Sequence, residues 1–473
     1  MFYSFSNLSE GTSRVKAECP TGYGMAKQVA RASACGGVVL EIHKNRRLKP
    51  ALLDTAALTT PSANDILHKG LNGFRISVPR KLCMKRIYFD HNATTPLAPE
   101  VLAAMMPYLT EEYGNASSIH AFGQNAREAV EQARSSVAAL LGARAADIMF
   151  TSGGTEASNH AILGAVAADP GKSKHVITSA IEHVAVLDPC RALARSGVDL
   201  TILPVNSDGL VNPEDVRRAI RPDTVLITIM LANNETGTIE PIEEIAKIAA
   251  EKGITFHTDA VQAAGKIPID VKKLGVNLLS ISAHKFSGPK GVGALYIRKG
   301  THIGPLMYGG HSERDRRPGT EDVAAIAGMG KAAELALAGM SKESERTRVL
   351  RDRLEQGLLS RVPQAWVNGV HAPRVPNTSN MTFPFIEGEA MVIALDLKGI
   401  ACSTGAACSS GATEPSHVLT ALGLAPENAR ATLRLSLGRQ TTEAEIDFAL
   451  ETIPQVIERL RGLSPTYKKP AMA

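Results

Sequence analysis

Cysteine is scarce, at 6 in 473 residues, and no two of the six form a CxxC pair. Thiols this few and this scattered exclude a disulfide scaffold and favour a reducing compartment. No uninterrupted apolar run approaches the roughly 20 residues a helix needs to cross a bilayer, so no integral membrane protein is expected. A sustained excess of one charge is missing too. The net charge of +5 comes from residues 1–83, which hold 12 Lys/Arg against 5 Asp/Glu, whereas the remaining 390 residues hold 40 against 42. A body so near neutrality gives no electrostatic case for nucleic acid as its substrate. The glycine-containing segment 151–156 is neither a P-loop nor GxGxxG. Cys402 and Cys408 lie six residues apart without a complementary His/Cys cluster, so no metal site is expected. What is present is 44% hydrophobic residues with 40 Gly and 26 Pro, enough for two or three domains with large cores.

Residues 1–83 differ in texture from the rest. They hold three of the cysteines and no sustained helix or strand period. They read as a poorly structured extension or a mispredicted start. A targeting peptide fits less well, because Glu10 and Glu18 come early and no clean amphipathic helix follows. The expected compartment is therefore the cytoplasm rather than an organelle. From Pro99 onward short apolar segments alternate with helical periods. Strands are expected at 147–150, 175–178, 201–204, 224–230, 255–257, 278–282 and 292–297. Helices are expected at 101–109, 126–141, 155–166, 184–195, 213–219, 242–251 and 324–359. This alternation predicts an α/β fold, a mainly parallel sheet covered on both faces. The charge-rich stretch 342–355 reads as a solvated helix face. The chain divides into a large domain, 98–345, and a smaller α/β domain made of 84–97 and 346–473, with 465–473 a frayed tail.

Three segments carry the chemistry. Ser282-Ala283-His284-Lys285 leaves an apolar strand, and a lysine there can be a desolvated amine suited to imine formation. Taken alone it fits a solvent-facing lysine on a turn better. Thr151-Ser152-Gly153-Gly154-Thr155-Glu156 runs from strand through glycines into helix, which suits either a phosphate cradle or a plain helix cap. His257-Thr258-Asp259-Ala260-Val261-Gln262 follows another strand. Its aspartate could keep a pyridinium nitrogen protonated, or cap the next turn. Together the three supply what pyridoxal phosphate requires of a protein. His183, at a helix start, suits a stacking partner for the ring or an ordinary cap.

The chain from about 86 to 463 resembles the cysteine desulfurases of the NifS/IscS type, within the class V aminotransferase family. The motifs that carry the likeness are Tyr88–Pro96, Gly114–His120, Thr151–Glu156, Glu182-His183, Asn233–Gly237, Asp259–Gln262, Ser282–Lys285, Arg317–Thr320, Cys408, Glu414–Ser416 and Arg434–Arg439. The resemblance implies the type I fold of pyridoxal-phosphate-dependent transferases, a large domain with a mainly parallel seven-stranded sheet plus a smaller α/β domain. It makes Lys285 the imine-forming lysine, Asp259 the partner of the ring nitrogen, Gln262 the donor to the phenolic oxygen and His183 the stacking residue. Gly154, Thr155, Ser282 and His284 would hold the phosphate, completed by Thr320 of a neighbouring subunit in a homodimer. Asn234 would assist beside the cofactor, and Arg434 would grip the substrate carboxylate.

Cys408, in the Gly/Ser-rich loop Ala401–Gly411, is by resemblance the thiolate that takes sulfur from L-cysteine. It would release L-alanine and pass the sulfur as a persulfide to an iron–sulfur scaffold or another acceptor. Cys402 reads as a buried small hydrophobe. The residues leave open a selenocysteine lyase, another β-eliminating enzyme and a catalytically silent sulfur-relay subunit. The silent reading expects loss of Lys285, Asp259 or Cys408, and all three are present.

Overall fold

The computed structural model describes residues 86–171, 173–404 and 414–468; the readings of residues 1–83 and of Cys408 lie outside them. Its strands are β1 Ile87–Tyr88, β2 Ile148–Thr151, β3 His175–Ser179, β4 Asp199–Leu203, β5 Thr224–Thr228, β6 Thr255–Asp259, β7 Leu278–Ser282, β8 Gly293–Ile297, β9 Trp366–Val367, β10 Thr378–Thr382, β11 Ile400–Ala401 and β12 Thr432–Ser436. Its longer helices are α1 Pro99–Thr110, α2 Ala121–Leu141, α3 Gly154–Ala168, α4 Val184–Arg195, α5 Pro213–Ala219, α6 Ile242–Glu251, α7 Val323–Arg361, α8 Gly388–Asp396, α9 His417–Ala421, α10 Pro426–Arg430 and α11 Glu443–Leu463.

Seven strands form one sheet in the order β2-β8-β7-β6-β5-β3-β4. Only β8 runs against its neighbours, folding back from β7 through a turn that places Gly291 at φ 81°. The other six therefore end on one edge. Successive side chains of a strand face opposite ways, and the burial follows that rule. Ile148, Phe150, Ile177, Ile227, Leu279 and Tyr296 join the core that contains α2, α6 and the start of α7. Met149, Val176, Leu226, Leu278 and Leu295 join the core under α3 and α4. A histidine crosses this interior. His257 bridges Thr228 Oγ1 at 2.8 Å and Ser280 Oγ at 2.9 Å, spanning β5, β6 and β7. Burial pulls its pKa down to about 3, so it is a neutral, satisfied core residue.

A second core lies on a three-stranded sheet, β12-β10-β9, and on the parallel pair β1-β11. It holds Phe89, Met381, Phe383, Leu433, Leu435 and Ile453. The long helix α7 serves both cores: Ile326, Met329 and Ala333 enter the first, and Leu350, Leu354 and Leu358 the second. Phe89, wholly buried, fixes the opening segment, with its N–H on the Ala401 carbonyl and its own carbonyl under the Ser436 N–H, both at 2.8 Å. Burying one such ring contributes ~1.5–3 kcal/mol, and it holds Asp90 and Asn92 beside the large sheet.

Two expectations need correction. The charged stretch 342–355 is not solvated throughout: Arg351 donates to the Val375 carbonyl at 3.0 Å, and Glu355 pairs with Arg374 at 2.7 and 3.0 Å, all three side chains being at most 8% exposed. Helical charge alternation does not reveal which turn faces a neighbouring segment. Nor is the tail wholly frayed, because Tyr467 packs on Phe385 with centroids 5.5 Å apart and under Arg461.

Candidate active site

Every sequence-chosen group before residue 346 that the structure describes, Thr320 excepted, lies at or just past the edge where the six parallel strands end. Gly154 and Thr155 follow β2, His183 follows β3, Asn234 follows β5, Asp259 ends β6, Ser282 ends β7 and Lys285 follows it. Open α/β sheets present ligand crevices there.

The cradle is tightly packed. A Cβ on Gly154 would stand 2.8 Å from Val261 Cγ2, so only glycine lets α3 begin this close to the loop after β6. Glu156 accepts the Ser152 N–H at 2.8 Å and is held by Arg317 at 2.9 and 3.2 Å. His183 caps α4, its Nδ1 accepting the Ala185 N–H at 3.1 Å. That bond puts the ring proton on Nε2. Burial and then the Lys285 charge push His183 down to about 4, leaving a neutral imidazole at neutral pH. His284 falls to about 4 for the same two reasons and meets Thr94 Oγ1 at 3.1 Å.

Asp259 is buried, and one oxygen accepts the Val261 N–H at 2.9 Å. Burial raises its pKa to about 6, offset in part by that N–H and by Lys285. Among the described residues no salt bridge neutralises it, so the site offers a buried carboxylate that a ligand cation would complete. Lys285 Nζ donates to the carbonyls of Asn92 at 2.6 Å and Ala93 at 2.9 Å. Gln262 Nε2 donates to the same Asn92 carbonyl at 2.9 Å.

Arg434 reaches the site from β12. Its guanidinium donates to Asp90 at 2.8 Å and to the Asn234 carbonyl at 3.1 Å, and its side chain is 3% exposed. Burial makes this pair a directional device more than a source of stability. Lys285 and Arg434 give the pocket a positive field that suits an anionic ligand, and with burial it pulls the Lys266 pKa well down.

These residues fit pyridoxal phosphate: an amine to bond its aldehyde, a buried carboxylate for its ring nitrogen, an amide donor near its phenolic oxygen and a helix start for its phosphate. Thr320 is exposed and has no bond to this cluster. Cys408 lies outside the described residues. Cys402 is buried, and burial pushes its thiol up to about 12, as a structural cysteine requires. The sequence reading passed over Asn92 and Lys266, which tie the cluster together. Lys266 stands four residues after Gln262, the spacing of one helical turn, which is the signal that could have drawn notice.

Residues 87–448 match the family model described as Aminotransferase class-V. The chain belongs to the class V aminotransferase family. Within it, the chain is 53% identical over 387 residues to a protein named "Cysteine desulfurase IscS" from Dictyoglomus turgidum, covering 82% of this chain and 98% of that one. It is 52% identical to one of the same name from Methanosarcina thermophila, over 81% of this chain and 95% of the relative. A solved structure titled "NIFS-LIKE PROTEIN" superposes with a TM-score of 0.75 at 38% identity, over 79% of this chain and all of that one. Another, titled "SspA in complex with cysteine", superposes at 0.67 and 38% identity, over 74% of this chain and 98% of the other.

Proposed function

We propose that this class V enzyme is a pyridoxal-phosphate-dependent cysteine desulfurase. It converts L-cysteine to L-alanine and carries the sulfur as a persulfide on Cys408 to an iron–sulfur scaffold or another acceptor protein. The observation that carries the reading is the buried pair Asp259 and Gln262 with the half-buried Lys285 at the strand ends, and Arg434 held by Asp90, in a chain about half identical to proteins of that name.

Pyridoxal phosphate, when bound, supplies an electron sink for the pair left when the substrate's α-proton departs. Asp259 holds the proton on the ring nitrogen, since a buried carboxylate without an ion partner gains most from a cation placed against it. Gln262 donates to the phenolic oxygen. His183 would stack on the ring as a neutral imidazole, with its proton on Nε2 because Nδ1 accepts the capping bond. Arg434, already aimed by Asp90 and the Asn234 carbonyl, grips the substrate carboxylate, and Asn234 closes that end of the site. Lys285 Nζ takes the α-proton. The Cys408 thiolate then bonds to the substrate sulfur while the Cβ–S electron pair stays with the carbon fragment, which leaves as alanine after protonation. The enzyme works as a homodimer in which Thr320 of one chain completes the phosphate site of the other, in keeping with its exposed position.

The test is purified protein supplied with pyridoxal phosphate, L-cysteine and a reducing thiol. Alanine and sulfide should appear in equal amounts. A coloured protein that makes neither from L-cysteine overturns the reading, and selenocysteine is then the next substrate to try.

A further inference from the structure

Lys266 is a half-buried lysine that the proposed chemistry does not use. Its Nζ donates to Gln262 Oε1 at 2.6 Å and to Asn92 Oδ1 at 3.0 Å. Among the described residues it pairs with no carboxylate. It lines a cleft of about 720 Å³, open mouth included, that also reaches Lys285, Thr95 and Ser344. Burial and the Lys285 and Arg434 charges pull its pKa well down, so its place among amide oxygens needs a reason other than stability.

The reason lies in the two amides. Lys266 is the donor at both contacts, so each amide faces it with its oxygen and is locked with its nitrogen pointing elsewhere. For Gln262 that nitrogen donates to the Asn92 carbonyl at 2.9 Å and keeps a second proton. For Asn92 it donates to Thr378 Oγ1 at 2.8 Å and the Asn234 carbonyl at 3.1 Å, while Oδ1 also receives Asn377 Nδ2 at 3.0 Å. The Asn92 carbonyl, fixed by these bonds, is the same atom that receives Lys285 Nζ. Lys266 thus stands behind both groups that would meet the cofactor's phenolic oxygen and aldehyde carbon. With Lys266 gone, Gln262 could turn its oxygen toward the pocket and present an acceptor where a donor is needed.

We infer that Lys266 is a positioning residue that locks Gln262 and Asn92 so that the pocket presents an N–H to the phenolic oxygen of pyridoxal phosphate. The inference rests on the cofactor reading above. Other titratable or charged groups around this network are Lys285, Arg434, His91 and His284, with Asp259, Glu343 and Asp90 the nearby acids.

The test is a pH titration of the visible band of the loaded enzyme, read without turnover. A donor to the phenolate favours the deprotonated form of the chromophore. Lys266→Met should therefore raise the midpoint by at least ~0.5 pH unit, and Lys266→Arg should restore most of it. In a Gln262→Ala background the shift from Lys266→Met should shrink to less than half, since the lock would have nothing to hold. An unchanged midpoint, or an equal shift in both backgrounds, overturns the inference. Should Lys266→Met fail to fold, Lys266→Gln answers the same question. A wild-type protein that shows no visible band with added pyridoxal phosphate overturns the cofactor reading itself, which separates the two failures.

Discussion

Asp259→Asn should stabilise the cofactor-free protein while weakening its hold on the cofactor. The Asp259 carboxyl is buried at the end of β6 and its pKa rises from 3.8 to about 6, chiefly through burial. Unfolded, it ionises near its ordinary value. Between about pH 4 and 6 the folded form therefore binds more protons than the unfolded one, and its stability falls as pH rises through that window. Above pH 6 the loss is complete. At about 1.4 kcal/mol per tenfold change in proton affinity, it amounts to about 3 kcal/mol. Asparagine keeps an oxygen for the Val261 N–H and removes the charge. Urea denaturation of the cofactor-free variant at pH 8 should show a gain of about 3 kcal/mol, and at pH 4 almost none. Added pyridoxal phosphate should then stabilise the variant less than the wild type, because the ring nitrogen has lost its anionic partner. A variant no more stable than wild type at pH 8, or equally improved at both pH values, would refute this reasoning.

Other expectations follow from the same geometry. His183 is neutral down to about pH 4 in the folded protein, so wild type loses stability as pH falls from about 6.5 to 4; His183→Gln should flatten that slope in a denaturation series. Arg434→Lys keeps the charge but loses the planar fork, and the KM for L-cysteine should rise roughly tenfold or more. Cys402→Ala should keep turnover within about twofold, since its buried, high-pKa thiol is inert. In native protein, thiol reagents should leave Cys402 unmodified.

How much of this was legible beforehand depended on whether the cause was local. Helices 184–195, 213–219 and 242–251 fall where expected because nearby residues start them, as with Asn212 capping Glu214 N–H ahead of Pro213. α2 begins at Ala121 rather than 126 because His120 caps it, a role the apolar period does not register. The two-residue strand β11 exists through its pairing with β1, which joins residues over 300 apart in sequence. In the site, Lys285, Asp259 and Gln262 announced themselves by following apolar strands. Lys266 did not, because its role depends on Asn92, 174 residues away, as much as on Gln262 one turn before it.

The central claim is that this protein moves sulfur from L-cysteine onto Cys408. The most direct measurement is peptide mass mapping after one turnover of the loaded enzyme with L-cysteine and no acceptor, run beside Cys408→Ser. The account predicts one added sulfur on the Cys408 peptide with one alanine released. The variant should keep the bound cofactor but release no alanine. Alanine formation by Cys408→Ser at the wild-type rate, or sulfur found on another cysteine, would contradict it.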